Sequence, residues 1–247
     1  MTNQPQIVAV IPARGGSKGI PDKNLQKIGD LTLIEWAIRA ALQSDFITML
    51  IITSDSTDIL EVATSFVRNF FPHQFEKVHF HKRSKALATD GSKIADTLKE
   101  IVEFYSISDL SCQAVLMLQP TTPFRRKGEI DLFLEFAKES DNFLPTVSVK
   151  EVNDSHPARM YFRDNQNRLV HCNFFKNEEF FSRQELTRLY LRDGSYYLMS
   201  LEMIREGNPV RENSRAFVRE YPFNLNIDES SDLELSRIEY QRVCDDI

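Results

Sequence analysis

Apolar residues recur along the chain in two alternating patterns. Short β-branched runs at residues 7–11, 49–53 and 114–118 are typical of strands buried on both faces of a parallel sheet. Between them lie segments in which apolar residues repeat at helical spacing, such as residues 33–44 and 59–67. The alternation predicts an α/β fold, a doubly wound and mostly parallel sheet with right-handed crossovers.

Helix and domain boundaries can be read from the same pattern. Thr32 and Glu35 form a T-x-x-E capping box ahead of the first helix. Further elements are predicted near residues 77–81, 127–139, 144–149 and 201–206, and a terminal helix follows Asp232. From 151 to 192 regularity weakens, which indicates an excursion with its own role. The chain is therefore predicted to form one domain from residues 1–150 and 193–247, interrupted by the excursion 151–192.

The first predicted strand ends in a glycine-rich loop that carries concentrated positive charge. Its cations are Arg14, Lys18, Lys23 and Lys27, against the single acid Asp22, on a chain whose net charge is −6. Glycines at the end of a buried strand let backbone N–H groups approach an anion. A local basic loop on an acidic protein predicts a small phosphorylated ligand and argues against nucleic-acid binding, which needs a basic face.

The same loop matches G-x-S-x-G around Ser17, the nucleophile elbow of serine hydrolases. An elbow requires a helix directly after the serine, whereas the next helical pattern begins near Leu33. A serine hydrolase is therefore the weaker alternative. Neither a Walker A sequence nor a G-x-G-x-x-G dinucleotide fingerprint is present.

Residues 11–24, IPARGGSKGIPDKN, resemble the nucleotide-binding signature of the acylneuraminate cytidylyltransferases, which make CMP-activated sialic acids and related nonulosonates. The resemblance implies a nucleotide-diphospho-sugar transferase-like fold and transfer of CMP from CTP to the anomeric hydroxyl of a nonulosonic acid, with release of pyrophosphate. It implies that Arg14 and Lys23 contact the triphosphate. The loop would further supply backbone donors from Gly15, Gly16 and Ser17 and a nucleotide contact from Asn24.

Three later segments extend the resemblance. Arg83, before ALATD, would contact the nucleotide, and Gln119, in LQPTTPFR, would reach the acceptor sugar. Asp228, in NIDESSD, would hold Mg²⁺ together with Asn226, since a few carboxylate and amide oxygens suffice when phosphate and water complete the shell. Because Asn226 stands where some members have aspartate, a non-catalytic nucleotide-binding homologue is a second alternative.

Within the excursion, the resemblance implies a homodimer interface. Arg183 there is a candidate for the acceptor's carboxylate, with an interface ion pair as the equal alternative. After the excursion, Asp193 and Ser195 replace the family's usual asparagine and alanine, which puts sugar contacts in doubt. The absence of a long apolar span, together with three widely spaced cysteines, predicts a cytoplasmic protein that is not in a membrane.

Several polar residues near strand ends have two interpretations. Asp55 could be functional or could cap the helix after it. Thr89, Asp90 or Ser92 could likewise cap the helix that follows them, and capping is favoured for Thr89 and Asp90. Capping is also favoured for Asp232, with an indirect role at the metal as the alternative. Two more cases are open: Arg125 is predicted to order its loop or pair with an acid, and His79 with His81 could form a metal pair or be ordinary strand residues.

Overall fold

The structure is a computed structural model of the chain. It describes residues 6–17, 19–89, 91–110, 112–140, 142–152, 155–172, 175–178, 182 and 184–247.

The strands and helices follow the predicted alternation. The strands are, in chain order, β1 (Gln6–Pro12), β2 (Lys27–Ile28), β3 (Leu31–Thr32), β4 (Ile47–Ser54), β5 (Val78–Lys82), β6 (Cys112–Leu118), β7 (Lys138–Glu139), β8 (Asn142–Phe143), β9 (Thr146–Glu151), β10 (Tyr161–Arg163), β11 (Leu169–His171), β12 (Tyr190–Met199) and β13 (Arg215–Val218). The α-helices are α1 (Leu33–Leu42), α2 (Thr57–Phe70), α3 (Ile94–Phe104), α4 (Glu129–Ala137), α5 (Leu201–Glu206) and α6 (Ser230–Val243). Short 3-10 turns occupy Lys23–Leu25, Pro72–Lys77, Lys85–Ala88, Ile107–Asp109, Pro157–Arg159 and Lys176–Glu178.

The central sheet has seven strands in the order β13-β9-β12-β6-β1-β4-β5. Every neighbouring pair is parallel except those that include β12, which runs antiparallel to β6 and β9. The predicted doubly wound, mostly parallel α/β fold is therefore confirmed. The sequence did not predict β13, because its alternating partly buried residues give no continuous apolar run.

The apolar run of β1 is explained by burial on both faces of the sheet. Ile7, Ala9 and Ile11 pack into a cluster with residues of α1, α2 and α4. Val8 and Val10 pack on the opposite face, in a cluster with residues of α3 and α5. Since alternate residues point to opposite faces, neither face of β1 offers a place for a polar side chain.

A third apolar cluster joins the segment after β1 to the C-terminal helix. Its members include Ile28, Trp36 and Leu233. Trp36 donates from Nε1 to the Ile28 carbonyl at 2.9 Å, and its ring meets Tyr240 of α6 edge-on, with centroids 5.9 Å apart. The capping box at the start of α1 is present as predicted, with Thr32 and Glu35 bonded reciprocally. The segment that follows β1 is thus packed against the C-terminal helix α6.

The predicted excursion contains a small hairpin of β10 and β11, in which Phe162 lies opposite Val170. The chain re-enters the main sheet at Tyr190, which pairs with Glu151, slightly before the predicted return at Asp193. Across the described ranges, none of the helices has both the length and the apolar character needed to cross a bilayer.

Candidate functional site

A cavity of about 460 Å³ opens at the edge of the sheet where the parallel strands β1, β4, β5 and β6 end. In doubly wound sheets this carboxyl edge is where ligands bind. The residues that line it are Pro12, Arg14, Ser17, Lys23, Asn24, Arg83, Leu87, Thr89, Ser92, Ile94, Thr97, Gln119, Thr121, Asn226 and Asp228. Residues predicted from four distant parts of the sequence are therefore brought to one place.

The loop after β1 is tied to the C-terminal segment by Lys23. Its ammonium group donates to the Ile227 carbonyl at 2.9 Å and lies 3.2 Å from Oδ1 of Asp228. Gly19 makes this approach possible, because a Cβ there would lie 2.6 Å from the Asp228 carbonyl oxygen. Lys23 and Asp228 consequently face the same side of the molecule, as a shared phosphate and metal site requires.

The shape of this loop is fixed by hydrogen bonds that cross it. Buried Asn24 donates from Nδ2 to the Arg14 carbonyl at 2.9 Å. The Gly15 N–H donates to Oδ1 of Asp55 at 2.9 Å, so that N–H has a protein acceptor here, whereas the prediction assigned it to phosphate. Its neighbour Gly16 has open space around it.

Asp55 lies at the end of β4 and faces the site. The interpretation of Asp55 as a helix cap is wrong, because Ser56 caps α2 by accepting from the Ile59 N–H. Oδ1 of Asp55 lies 3.8 Å from Nη2 of Arg83 as well as accepting from Gly15. The carboxylate therefore links the loop after β1 to the end of β5.

Arg83 is buried just after β5 and lines the cavity. It donates from Nη1 to Thr97 on α3 at 3.1 Å, while Nε and Nη2 make no hydrogen bond within the described part of the protein. Burial lowers the pKa of Arg83, and the nearby carboxylates Asp55 and Glu100 partly offset that effect. A buried guanidinium with unused donors at a cavity is suited to binding an anion or carbonyl oxygen.

The predicted capping role of Thr89 and Ser92 is wrong, since Lys93 precedes α3 and provides no side-chain cap. Their hydroxyl oxygens lie 2.7 Å apart, and Ser92 donates to the Ala86 carbonyl. Both residues line the cavity. The position of Asp90 lies outside the described residues.

The loop after β6 is rigidly held from within. Arg125 donates from Nη2 to the Gln119 carbonyl at 2.8 Å and to the Thr122 hydroxyl at 3.0 Å. Arg125 is 4% exposed, and desolvation lowers its pKa. The prediction that Arg125 orders its loop is confirmed, and the Gln119 side chain is left at the cavity.

Gly194 on β12 lies directly against Gln119. Its φ is +88°, and a Cβ there would lie 2.9 Å from Oε1 of Gln119. The two adjacent departures from the family pattern point inward: Asp193 and Ser195 are both buried and bond to Arg219. Sequence reasoning missed Arg219, because nothing in its local sequence distinguishes it from a surface arginine.

The segment from Asn226 to Asp232 brings oxygen ligands to the cavity, through Asn226 and Asp228. Asn226 donates from Nδ2 to Oδ2 of Asp228 at 2.6 Å. Asp232 accepts from the Asp228 and Glu229 N–H groups at 2.9 and 2.8 Å and completes a capping box with Glu229. The favoured capping role of Asp232 is confirmed, and it also orients the backbone of Asp228.

The donor set at Asn226 and Asp228 fits Mg²⁺, a hard cation that takes oxygen ligands and keeps several waters. Oδ1 of Asn226 is buried and accepts no hydrogen bond among the described residues. Asp228 is 66% exposed at its side chain, so its carboxylate is open to a ligand from solvent. In the described ranges no three His, Cys, Asp or Glu side chains converge as a metal cluster, so any such ion needs phosphate or water oxygens as further ligands.

Two predicted positions fall elsewhere. Arg183, the candidate for the acceptor's carboxylate, and Lys18 of the basic loop lie outside the described residues. The paired histidines contact α3 instead of the cavity: His79 packs on Tyr105 and His81 on Phe104.

Comparison with known proteins gives relatives along nearly the whole chain. The synthase of CMP-N,N'-diacetyllegionaminic acid from Legionella pneumophila is 31% identical over 201 residues, which is 81% of each chain. A pseudaminic acid cytidylyltransferase of Campylobacter jejuni is 28% identical over 237 residues and covers 95% of this chain and 96% of its own.

Solved structures agree on the fold. A synthetase of CMP-2-keto-3-deoxy-manno-octonic acid, determined with CTP, superimposes with a TM-score of 0.64 over 96% of this chain and 99% of its own, at 16% identity. At that identity the likeness supports the fold alone. The family model for cytidylyltransferases matches residues 8–242 and so spans both the loop after β1 and the Asp228 segment. The chain belongs to the cytidylyltransferase family.

Proposed function

We propose that the protein transfers CMP from CTP to the anomeric hydroxyl of a nonulosonic acid and releases pyrophosphate. The observation that carries the proposal is the convergence of Lys23, Gln119 and Asp228 on one cavity at the carboxyl edge of the sheet. The named activities of the relatives support the substrate class, since legionaminic and pseudaminic acids are both nonulosonic acids.

The charge of the cavity suits this reaction. Arg14, Lys23 and Arg83 line it, and among the described residues the carboxylate that lines it is that of Asp228. In-line attack on the α-phosphorus and departure of pyrophosphate both concentrate negative charge on phosphoryl oxygens, so fixed cations stabilise the transition state more than the ground state. Arg14 and Lys23 would bind the triphosphate, while Asn24, Arg83 and the loop amides would position the nucleotide.

Asn226 and Asp228 would hold Mg²⁺, which supplies charge neutralisation at the phosphates and lowers the pKa of an oxygen bound to it. In this chain Lys23 contacts Asp228, so the same carboxylate that would bind the ion also orients the ammonium group. Gln119 would position the acceptor hydroxyl, because it lines the same cavity as Lys23 and Asp228. CTP is a cytoplasmic metabolite, and we therefore expect the protein to act in the cytoplasm.

The two alternatives have less support. A serine hydrolase would need a base beside Ser17, and no histidine is among the described residues that line the cavity. A non-catalytic homologue would bind CTP with Mg²⁺ but release no pyrophosphate. Labelling with a serine-directed phosphonate addresses the first alternative, and our proposal expects no label.

Pyrophosphate release tests the proposal directly. The assay would use CTP, UTP, ATP and GTP against N-acetylneuraminate, a legionaminate, a pseudaminate and 8-amino-Kdo, an eight-carbon relative of these sugars. We expect release with CTP and at least one of these acceptors, and dependence on added Mg²⁺. Tight CTP binding without release for the whole panel would refute catalysis and favour the non-catalytic alternative.

We also propose that the protein is a homodimer that uses the β10–β11 hairpin as its interface. Phe162 and Val170 lie opposite each other on one face, and their exposed fractions are 65% and 48%. Leu169 is 71% exposed. Leu169 lies on the other face of the hairpin, opposite Arg163, so both faces expose apolar side chains that an interface could cover. Sedimentation velocity should give a dimer for the wild type and a monomer for Phe162→Asp, whereas a wild-type monomer would contradict the interface.

A further inference from the structure

A buried ionic network lies directly behind the acceptor side of the cavity. Arg219, at the end of β13, and Asp193, on β12, both have side chains that are 0% exposed. Arg219 bonds to Asp193 at 3.1 Å and to both carboxylate oxygens of Glu129, at 3.1 and 2.8 Å. Burial alone would lower the pKa of Arg219, and its interactions with Tyr196, Glu129 and Asp193 raise it above the ordinary value. The guanidinium is therefore a fixed cation that no solvent reaches.

The network fixes the turn at Gly194. Oδ1 of Asp193 accepts from the Ser195 N–H at 3.0 Å, which closes a short loop around Gly194. The Ser195 hydroxyl bonds to Asp193 and to Arg219. Gly194 thus keeps its positive φ because the residues on either side of it are anchored to one guanidinium.

The same guanidinium anchors the loop that carries Gln119. Arg219 donates from Nη2 to the Phe124 carbonyl at 2.6 Å, and the adjacent Arg125 bonds both to the Gln119 carbonyl and to the Ser195 carbonyl. The loop after β6 and the turn on β12 are consequently held against each other. Within this junction the Gly194 backbone lies against Gln119, because a Cβ at Gly194 would lie 2.9 Å from Oε1 of Gln119.

From this arrangement we infer that Arg219 and Asp193 are positioning residues for the acceptor. They set the relative position of Gly194 and Gln119 and thereby the orientation of the Gln119 amide toward the sugar. They do not touch substrate. The inference rests on the proposed function, because it assigns Gln119 to the acceptor. A purely structural role predicts lost stability with unchanged KM values in the folded fraction, whereas positioning predicts a defect confined to the acceptor.

The test compares KM for the acceptor with KM for CTP in two variants. Asp193→Asn keeps the shape but replaces one accepting oxygen with a donor group that faces other donors. Gly194→Ala leaves Arg219 untouched and forces Oε1 of Gln119 to move. We expect each variant to raise KM for the acceptor about tenfold or more, the effect of losing one well-oriented hydrogen bond to a polar substrate group. KM for CTP should stay within about twofold of wild type, because neither Asp193 nor Gly194 is among the described residues that line the cavity.

Gly207→Ala is the matched control. Gly207 also has a positive φ, of +75°, but lies at the end of α5 beside Lys99. It should lower Tm through the same kind of backbone strain and leave both KM values unchanged. If Gly194→Ala also lowers Tm without changing the acceptor KM, positioning is refuted. Should Asp193→Asn fail to fold, Gly194→Ala alone decides the question.

The failures of the two proposals are distinguishable. A wild-type protein that releases no pyrophosphate with any acceptor refutes the proposed function, and this inference with it. An active wild type whose two variants keep the wild-type acceptor KM refutes only the positioning role.

Discussion

The loop after β1 and the loop after β6 leave the same edge of the sheet, and each contains arginine, yet they use positive charge in opposite ways. In the first loop Arg14 and Lys23 line the cavity. In the second, Arg125 is buried and donates from Nη2 to the Gln119 carbonyl and the Thr122 hydroxyl of its own loop. One loop presents charge to a ligand, and the other uses charge to hold its shape.

The difference lies in what surrounds each cation. Lys23 bonds to a single carbonyl and to the exposed carboxylate of Asp228, an arrangement that an incoming phosphate can modify. Arg125 lies beside another buried guanidinium, that of Arg219, and the carboxylates of Glu129 and Asp193 balance the two positive charges. Arg125 is not among the described residues that line the cavity, so its charge stabilises the loop, whereas the charges of Arg14 and Lys23 are within reach of a ligand.

The largest effect should come from removing the ligand-facing charge. We expect Lys23→Ala to lower kcat/KM by 10²–10³-fold, about 3–4 kcal/mol of transition-state stabilisation, as for other preorganised donors. Its Tm should fall only modestly, by the loss of the contacts to the Ile227 carbonyl and Asp228, so the loss of activity should far exceed the loss of folded protein. The control is Lys27→Ala, an exposed cation of the same segment that should keep activity. Near-wild-type pyrophosphate release by Lys23→Ala would contradict the ligand-binding role of positive charge in the first loop.

The reverse pattern is expected when the structural charge is removed. Arg125→Met should cost about 2–3 kcal/mol of unfolding free energy, because the Gln119 carbonyl and the Thr122 hydroxyl lose a charged, buried partner. Urea denaturation measures this value. The control, Arg126→Met, removes a neighbouring arginine that is 47% exposed and stacks on Phe223, and should cost less than about 1 kcal/mol. Equal costs for the two variants would contradict the structural role of Arg125.

A smaller effect should follow from weakening the link between Asp55 and the first loop. Asp55→Asn replaces the charged acceptor of the Gly15 N–H and should raise KM for CTP by about 3–10-fold, near 1 kcal/mol. The KM of the acceptor should not change. Asp58→Asn, on the exposed first turn of α2, is the control. A selective rise in KM for the acceptor would contradict the assignment of Asp55 to the CTP-binding loop.

An increase in salt concentration should have the smallest effect, and it should distinguish the charges of the two loops without mutation. Raising ionic strength from about 0.05 to about 0.3 M shortens the Debye length and should weaken CTP binding by a few-fold, because Arg14 and Lys23 are only partly buried. The buried charges around Arg125 are screened much less. Isothermal titration with CTP would measure the first effect, and an unchanged affinity would contradict it.

Most of the fold follows from the sequence because its signals are local. The two-sided burial of β1 requires a continuous apolar run, and the capping box of α1 can be recognised from the spacing of Thr32 and Glu35. Candidate residues at the strand ends could also be placed, since parallel strands bring their carboxyl ends to one edge.

The parts that could not be predicted depend on distant partners. From the sequence, Asp55 is interpreted as a helix cap. In the structure the neighbouring Ser56 is the cap, and Asp55 instead accepts a hydrogen bond from Gly15, 40 positions away. Arg219 reads as a surface residue, and only the fold surrounds it with Glu129 and Asp193. Whether a charged side chain ends at a ligand or inside the protein is decided by tertiary packing, which leaves no periodic signature.

Trp36 is the only tryptophan in the chain, and it lies beneath the C-terminal helix, with Tyr240 at its edge and the guanidinium of Arg39 4.8 Å above its ring. Trp36 is thus an intrinsic fluorescent probe at the junction between α1 and α6. Movement of α6, whose first turn is bonded to the backbone of Asp228, would alter the indole emission. Closure of the C-terminal segment over a nucleotide could then be followed in real time, without attaching a dye.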